Sequence, residues 1–104
     1  MSVLPPVTHL QFLILESLVG GEHAGRDVRA ALADHGAGRT LPAFYELMAR
    51  LEKAGLVCGS YAPKKVNGQV VRERRYAITE AGREAHAATC RFYGERLSTR
   101  SQEA

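Results

Sequence analysis

The stretch RTLPAFYELMARLEKAGLV, residues 39–57, carries the strongest structural signal in this chain, because it contains an amphipathic helix together with its start and stop signals. Thr40 is a good N-cap, Pro42 is tolerated in the first helical turn, and Gly55 ends the helix. Apolar side chains recur at the spacing i, i+3, i+4, i+7, and they are Phe44, Leu47, Met48 and Leu51. We therefore predict a helix over residues 40–54 with one buried face.

A basic β-hairpin is predicted directly after this helix. Two strand-like runs, residues 56–62 and 70–79, flank the dipeptide Asn67-Gly68, which is a strong signal for a hairpin turn. Five cations flank the turn, and they are Lys64, Lys65, Arg72, Arg74 and Arg75. We call residues 62–75 the wing. Cations on such a narrow ribbon bind phosphates or the minor groove of DNA.

The remaining breakers predict three further helices. Thr8 is an N-cap for a helix over residues 8–19, a second helix fits residues 25–35, and Thr79 caps a last helix over residues 80–97. The predicted order is α-α-α-β-β-α, which is a mainly α chain with a small β-hairpin (α+β), a winged helix-turn-helix. We expect one domain over residues 1–97, followed by a polar, frayed tail at residues 98–104.

Positive charge is concentrated in the second half of the chain. The 104 residues carry a formal charge of +3. The segment from Arg39 to Thr79 holds eight basic and three acidic residues, so its charge is +5 and that of the rest is −2. This distribution favours a nucleic-acid partner, because neutralising phosphates releases condensed counterions. The alternative is a solvated charged face.

The outward face of the 40–54 helix is small near its N-terminus, as a helix that enters the major groove requires. The predicted DNA-contacting residues are Arg39, Thr40, Pro42, Ala43, Tyr45, Glu46, Arg50, Lys53, Lys64, Lys65, Arg72 and Arg74. Tyr45 either offers its hydroxyl to a phosphate or only packs its ring. Glu46 either accepts a hydrogen bond from a base or pairs with Arg50 at i,i+4. Arg75 and Glu73 share the other face of their strand and are expected to pair.

Both terminal helices carry more apolar surface than one core needs. The first helix has one stripe of Leu10, Leu13, Ile14 and Leu18, and a second stripe nearly opposite. We expect a symmetric dimer in which the partner-facing residues are Phe12, Leu15, Val19, His86, Cys90, Tyr93 and Leu97. The alternative is that a single domain buries both faces of the first helix.

Other classes of protein fit the sequence poorly. The four histidines have no metal-ligand spacing with Cys58 or Cys90, and the chain lacks a phosphate-binding loop, a nucleophile elbow and a convergent carboxylate pair. We therefore expect no enzyme activity, cofactor or metal, and we expect the two cysteines to be free, buried or partly buried thiols. No segment is apolar over enough residues for a signal peptide or membrane span, so a cytoplasmic location without membrane contact is predicted.

Three segments carry a resemblance to a known family: GRDV at residues 25–28, YELMARLEKAGLV at 45–57 and RRYAITEAG at 74–82. Together they resemble the PadR-like winged-helix transcriptional regulators, and the similarity covers roughly residues 8–95. Arg26 stands where the family usually has an aromatic residue. The resemblance implies a homodimeric transcription factor that binds double-stranded DNA, commonly a repressor, and sometimes released by a small effector.

Two functional hypotheses follow. The first is a sequence-specific DNA-binding regulator that recognises an inverted-repeat operator through the recognition helix 40–54 and the wing 62–75. The second is a winged-helix module for protein–protein interaction, in which the wing cations bind an acidic partner, since one fold can serve either function.

Overall fold

The computed structural model describes the backbone of residues 4–103 and the side chains of residues 4–98. Its elements in chain order are α1 (His9–Leu18), β1 (His23–Ala24), α2 (Gly25–Asp34), α3 (Leu41–Lys53), β2 (Val57–Val66), β3 (Gln69–Ile78) and α4 (Glu80–Glu103). The strands form one antiparallel sheet in the order β1-β3-β2. The predicted α+β winged-helix architecture is confirmed.

Threonine hydroxyls begin three of the helices, as predicted. Thr8 Oγ1 accepts a hydrogen bond from the Gln11 amide at 3.2 Å, and Gln11 Oε1 accepts one from the Thr8 amide at 3.0 Å, which completes a capping box. Thr40 Oγ1 accepts from the Ala43 amide at the start of α3. Thr79 Oγ1 accepts from the Gly82 amide and donates to the Gly55 carbonyl at 2.6 Å, so the start of α4 is tied to the end of α3.

The hairpin turn is confirmed, and its first strand is longer than expected. Asn67 and Gly68 have φ values of 52° and 80°, and Val66 pairs directly with Gln69. This is the two-residue turn in which both central residues need positive φ, and Asn-Gly suits it. Because so short a turn keeps the strands in register, pairing continues through residues 63–66, which were expected to form a connection.

Two other boundaries differ from prediction. The strand β1 was missed, because two residues are too few to show alternation; it pairs His23 with Tyr76 and Ala24 with Arg75. The helix α4 does not end at Leu97 but continues to Glu103. No Gly or Pro stands between residues 98 and 103, so the sequence there offers polarity but no helix breaker.

The core lies where α1, α2, α3 and the sheet meet. Its fully buried members include Ile14, Leu15, Leu18, Val28, Leu32, Phe44, Met48 and Leu51. The prediction that Leu15 faces a partner is wrong, because its side chain is 0% exposed within its own protomer. α1 packs against α2, α4 and β3 of the same protomer. These elements enclose Leu15, although it lies on the second apolar stripe of the helix.

The described part of the chain offers no helix with both the length and the apolar character needed to cross a bilayer. Cys58 and Cys90 are free, as predicted, but both are exposed rather than buried. Cys58 lies on β2 and Cys90 on α4, each on the solvent side of its element.

Candidate nucleic-acid interface

The outward face of α3 has the predicted orientation. Phe44, Met48 and Leu51 are 0% exposed, which turns the opposite side of the helix to solvent. Ala43 is half-buried, and the exposed predicted residues of this region are Arg39, Thr40, Pro42, Tyr45, Glu46, Arg50 and Lys53. α3 therefore presents the small side chains of Thr40, Pro42 and Ala43 beside the exposed Leu41 at its N-terminal end, and the cations Arg50 and Lys53 in its last turn.

Two ambiguous residues on this face have identifiable contacts. Arg50 Nη2 lies 2.8 Å from Glu46 Oε1, and each side chain is 66% exposed, so the i,i+4 pair forms at the surface. Exposed pairs of this kind contribute only about 0.3–0.5 kcal/mol. The Tyr45 ring packs edge-on against Phe44 at a centroid distance of 5.6 Å, yet Tyr45 remains 44% exposed. Both Glu46 and Tyr45 are accessible to a partner.

A second group of cations lies beside the start of α3 and was missed by the sequence analysis. Arg26 and Arg29 on α2 line a cleft of about 460 Å³ together with Arg39 and Thr40. Arg29 Nε donates to the Arg39 carbonyl at 3.0 Å, and Arg39 Nη1 donates to the Gly38 carbonyl at 2.9 Å. The helical periodicity of α2 could have predicted these cations. Val28 and Leu32 point inward, which leaves Arg26 and Arg29 on the outer side of the helix.

Most wing cations are neutralised by carboxylates. Lys64 lies 3.4 Å and Arg75 lies 3.0 Å from Glu73, whose side chain is only 14% exposed. Arg75 also lies 3.1 Å from Glu22, and Arg74 lies 2.6 Å from Glu52. The predicted pairing of Arg75 with Glu73 is thus confirmed. Among the described side chains, the wing cations Lys65 and Arg72 have no carboxylate within ion-pair distance, so they are the ones available to an external anion.

The pKa values reflect this pairing. Partial burial raises the pKa of the Glu73 carboxyl, but hydrogen bonds from Lys64 and Arg75 and the charge of Arg26 outweigh it and hold the pKa below its usual value. Hydrogen bonding to Glu22 raises the pKa of Arg75. The Glu73 carboxylate therefore remains ionised at neutral pH and offsets part of the positive charge that the sequence assigned to the wing.

A polar cleft separates α3 from the hairpin. It has a volume of about 510 Å³, and its lining residues are Tyr45, Ala49, Glu52, Tyr61, Arg72, Arg74 and Tyr76. The Arg72 guanidinium lies 4.6 Å from the centre of the Tyr61 ring, and that of Arg74 lies 4.8 Å from it. Tyr61 and Glu52 were not predicted as site residues. The signal for Tyr61 was the hairpin turn itself, because a two-residue turn at Asn67-Gly68 places Tyr61 directly opposite Arg74.

A separate apolar groove lies between α1 and α4. It has a volume of about 620 Å³, and its lining residues are Val7, Thr8, His9, Phe12, Thr89, Cys90 and Tyr93. The Phe12 ring stacks on the His86 ring at 5.0 Å with an interplanar angle of 2°, and His86 Nε2 hydrogen-bonds the carboxylate of Glu16. Tyr93 and Leu97 are 49% and 66% exposed.

Of the predicted partner-facing residues, Phe12, Cys90 and Tyr93 line this groove, and His86 lies beside it because its ring stacks on Phe12. Val19 is partly buried and Leu97 is exposed, but neither lines the groove, and Leu15 is buried in the core. Within the described part of the chain, no three His, Cys, Asp or Glu side chains are grouped so that they could hold a metal ion.

No protein-family model and no curated protein matches this chain. Solved structures do. A PadR family transcription regulator from Clostridium difficile R20291 superposes with a TM-score of 0.71 at 17% identity, covering 88% of this chain and 97% of that one. A PadR-like transcriptional regulator from Bacillus cereus ATCC 14579 superposes with a TM-score of 0.69 at 23% identity, covering 89% and 88%.

A third structure is Bacillus subtilis PadR in complex with operator DNA. It superposes with a TM-score of 0.61 at 18% identity, covering 79% of this chain and 46% of that one. At such identities the likeness concerns the fold. This chain has the winged-helix fold of the PadR-family transcriptional regulators.

Proposed function

We propose that this chain is a PadR-like transcriptional regulator that binds operator DNA as a homodimer. The observation that carries the proposal is the cleft in which the exposed Tyr45 of α3 and the wing cation Arg72 line the same concave surface. Because α3 and the hairpin form the two sides of this cleft, the helix can contact bases while the hairpin contacts the backbone of the same duplex. The structure of Bacillus subtilis PadR with operator DNA supports this use of the fold.

Each part of the surface has a distinct role in this proposal. The first turns of α3, which begin at Thr40, approach base edges in the major groove, where the small side chains of Pro42 and Ala43 allow close approach. Lys53 and Arg50 in the last turn bind phosphates. The exposed wing cations Lys65 and Arg72 bind the backbone or the minor groove, which contributes affinity more than base preference.

The second copy of the chain would bind the groove between α1 and α4. Tyr93 lines this groove together with Phe12 and is 49% exposed, and Leu97, four residues further along α4, is also exposed. Contiguous exposed apolar surface of this kind typically marks an interface. A two-fold dimer would present two copies of α3, so the operator would be an inverted repeat. We propose that the dimer acts as a repressor, which is the common role in the family that the sequence resembles.

The proposal is tested by fluorescence anisotropy with the duplex upstream of the chain's own gene and with a scrambled duplex of equal length. We expect the upstream duplex to bind at least about 10³-fold more tightly at physiological salt. Equal binding of both duplexes would contradict sequence-specific recognition. Absence of DNA binding, together with binding to acidic proteins, would favour the protein-interaction module instead.

A further inference from the structure

A half-buried ion pair connects the last turn of α3 to the wing. Arg74 Nη2 donates to Glu52 Oε1 at 2.6 Å, and the two side chains are 26% and 29% exposed. The guanidinium also lies 4.8 Å from the centre of the Tyr61 ring and 5.3 Å from that of Tyr76. Contact with Tyr76 raises the pKa of Arg74, and the charge of Glu52 adds to the effect, although burial opposes it. Arg74 is therefore held by three neighbours from three elements.

Gly59 provides the space that this ion pair occupies. A Cβ atom at Gly59 would lie 1.9 Å from Glu52 Oε1 and 2.4 Å from Arg74 Nη2. Gly59 is paired with Tyr76 within the β2–β3 ladder, two pairs from the start of β2, and it is not one of the glycines with positive φ. The glycine at this position is therefore not required by a turn conformation. It is required because the Glu52–Arg74 ion pair lies directly over its backbone, where a side chain would clash.

Arg72 offers a direct comparison with Arg74. The two arginines lie on the same face of β3, and both guanidinium groups contact the Tyr61 ring at nearly equal distances. Arg72 is exposed and has no carboxylate partner among the described side chains, whereas Arg74 is partly buried against Glu52. Arg72 and Arg74 therefore have different environments, although both are arginines on the same face of β3.

We propose that Glu52, Gly59, Tyr61 and Arg74 form a brace that fixes the orientation of the wing relative to α3, and that Arg74 is a positioning residue rather than a phosphate contact. A two-stranded ribbon that projects from its sheet is only marginally ordered by its own ladder. A contact that orders it before binding reduces the entropy lost when helix and wing engage one duplex. This inference rests on the proposed function, in which α3 and the wing contact the same DNA.

The salt dependence of DNA binding separates positioning from phosphate contact. Arg72→Met removes a phosphate contact, so the slope of log K against log salt should become shallower by about 0.9. Arg74→Met removes no such contact, so affinity should fall by about tenfold at every salt concentration with an unchanged slope. An equal loss of slope in both variants would overturn the proposal, because Arg74 would then bind a phosphate.

Glu52→Gln tests whether the Glu52 carboxylate orients the wing or instead keeps Arg74 from binding DNA. The substitution keeps the size of the side chain and removes its charge, so the brace is weakened and DNA affinity should fall. If Glu52 instead withheld Arg74 from DNA, the variant would bind more tightly and with a steeper salt slope. That outcome would contradict the positioning role.

A measurement without DNA keeps the brace testable even if the chain binds no DNA. Gly59→Ala displaces the ion pair without removing a charge, so backbone amides of β2 and β3 within the wing should exchange hydrogen faster, while those of α1 and α2 should not. The matched control is Gly20→Ala, since a Cβ at Gly20 would meet nothing within 4 Å. Unchanged exchange in the wing of Gly59→Ala would refute the brace, whereas a failure to bind DNA would refute only the proposed function.

Discussion

The guanidinium of Arg26, in the first turn of α2, lies 2.9 Å from the carboxylate of Glu73 in the wing. The same carboxylate is bonded by Lys64 of β2 and Arg75 of β3, and its side chain is 14% exposed. Glu73 is therefore the acidic centre on which a helix and both strands of the hairpin converge. An uncompensated cation cluster would repel the ribbon from α2, so this carboxylate stabilises the orientation of the wing as well as its own strand pair.

Replacing Glu73 by Gln is expected to change how stability depends on pH. The folded-state pKa of Glu73 lies below the unfolded value, which is about 4.3 for a free glutamate. Its contribution is therefore complete above the unfolded pKa and is lost as the pH falls through the folded-state pKa. Glu73→Gln should be less stable than the wild type at pH 7, and the difference should shrink towards pH 3. Urea denaturation at several pH values measures it, with Glu84→Gln, at an exposed position of α4, as the control. A constant difference at all pH values would contradict the assignment.

The wing cations without carboxylate partners are expected to carry the salt dependence of DNA binding. In the proposed function Lys65 and Arg72 contact phosphates, so Lys65→Ala combined with Arg72→Ala should make the slope of log K against log salt shallower by about 1.8. Binding to all duplexes should weaken alike, because phosphate contacts hold no sequence information. Arg91→Ala, which removes an exposed cation from α4, controls for net charge and should leave the slope unchanged. An unchanged slope in the double variant would remove the wing from the interface.

Local signals predicted the fold well because they act over a few residues. Thr8, Thr40 and Thr79 begin their helices, and Asn67-Gly68 forms the turn, through hydrogen bonds and φ preferences that adjacent sequence determines. The strand β1 could not be predicted in this way, since its two residues are placed by pairing with Tyr76 and Arg75 far along the chain. Tertiary contacts, rather than the local sequence pattern, determine the position of this strand.

The site was predicted less completely for the same reason. The amphipathic pattern oriented α3 correctly, since burial follows helical periodicity. Charge counting overstated the uncompensated positive charge of the wing. Two of the carboxylates that pair with its cations are distant in sequence, since Glu52 lies 22 residues from Arg74 and Glu22 lies 53 residues from Arg75. Periodicity also misplaced Leu15, since the number of neighbours packed around α1 is a property of the whole fold. Pairings across such separations require the tertiary structure.

Tyr93→Glu is expected to separate dimerisation from folding. Tyr93 is 49% exposed in the protomer, so a charge there should leave the protomer folded and prevent burial against a second copy. Sedimentation at micromolar concentration should show a dimer for the wild type and a monomer for the variant. Operator affinity should fall sharply, because two half-sites can no longer be bound together. A wild-type protein that sediments as a monomer would exclude the proposed dimer.

Leu15→Ala is the complementary substitution. Leu15 is 0% exposed in the core, so its truncation should lower the free energy of unfolding by about 2–5 kcal/mol. The dimerisation constant of the folded protein should not change, since the side chain does not reach the groove surface. Thermal denaturation and sedimentation at low temperature measure the two effects separately. Dissociation of the dimer without loss of stability would place Leu15 at the interface after all.

Glu46 is expected to contribute base preference in each half-site of the operator. It lies one turn into α3 on the exposed face, and its carboxylate can accept a hydrogen bond from cytosine N4. The surface pair with Arg50 is worth only about 0.3–0.5 kcal/mol, so Glu46→Ala should keep the fold and relax base preference at one position. Lys53→Ala, at the exposed end of the same helix, should lower affinity without altering preference. Selection of binding sites from a randomised duplex library compares both variants with the wild type. The wild-type sites should be inverted repeats with half-site centres about 10 bp or a multiple of this apart. If the recovered motif has no dyad, or if Glu46→Ala leaves it intact, α3 does not read the operator through this residue.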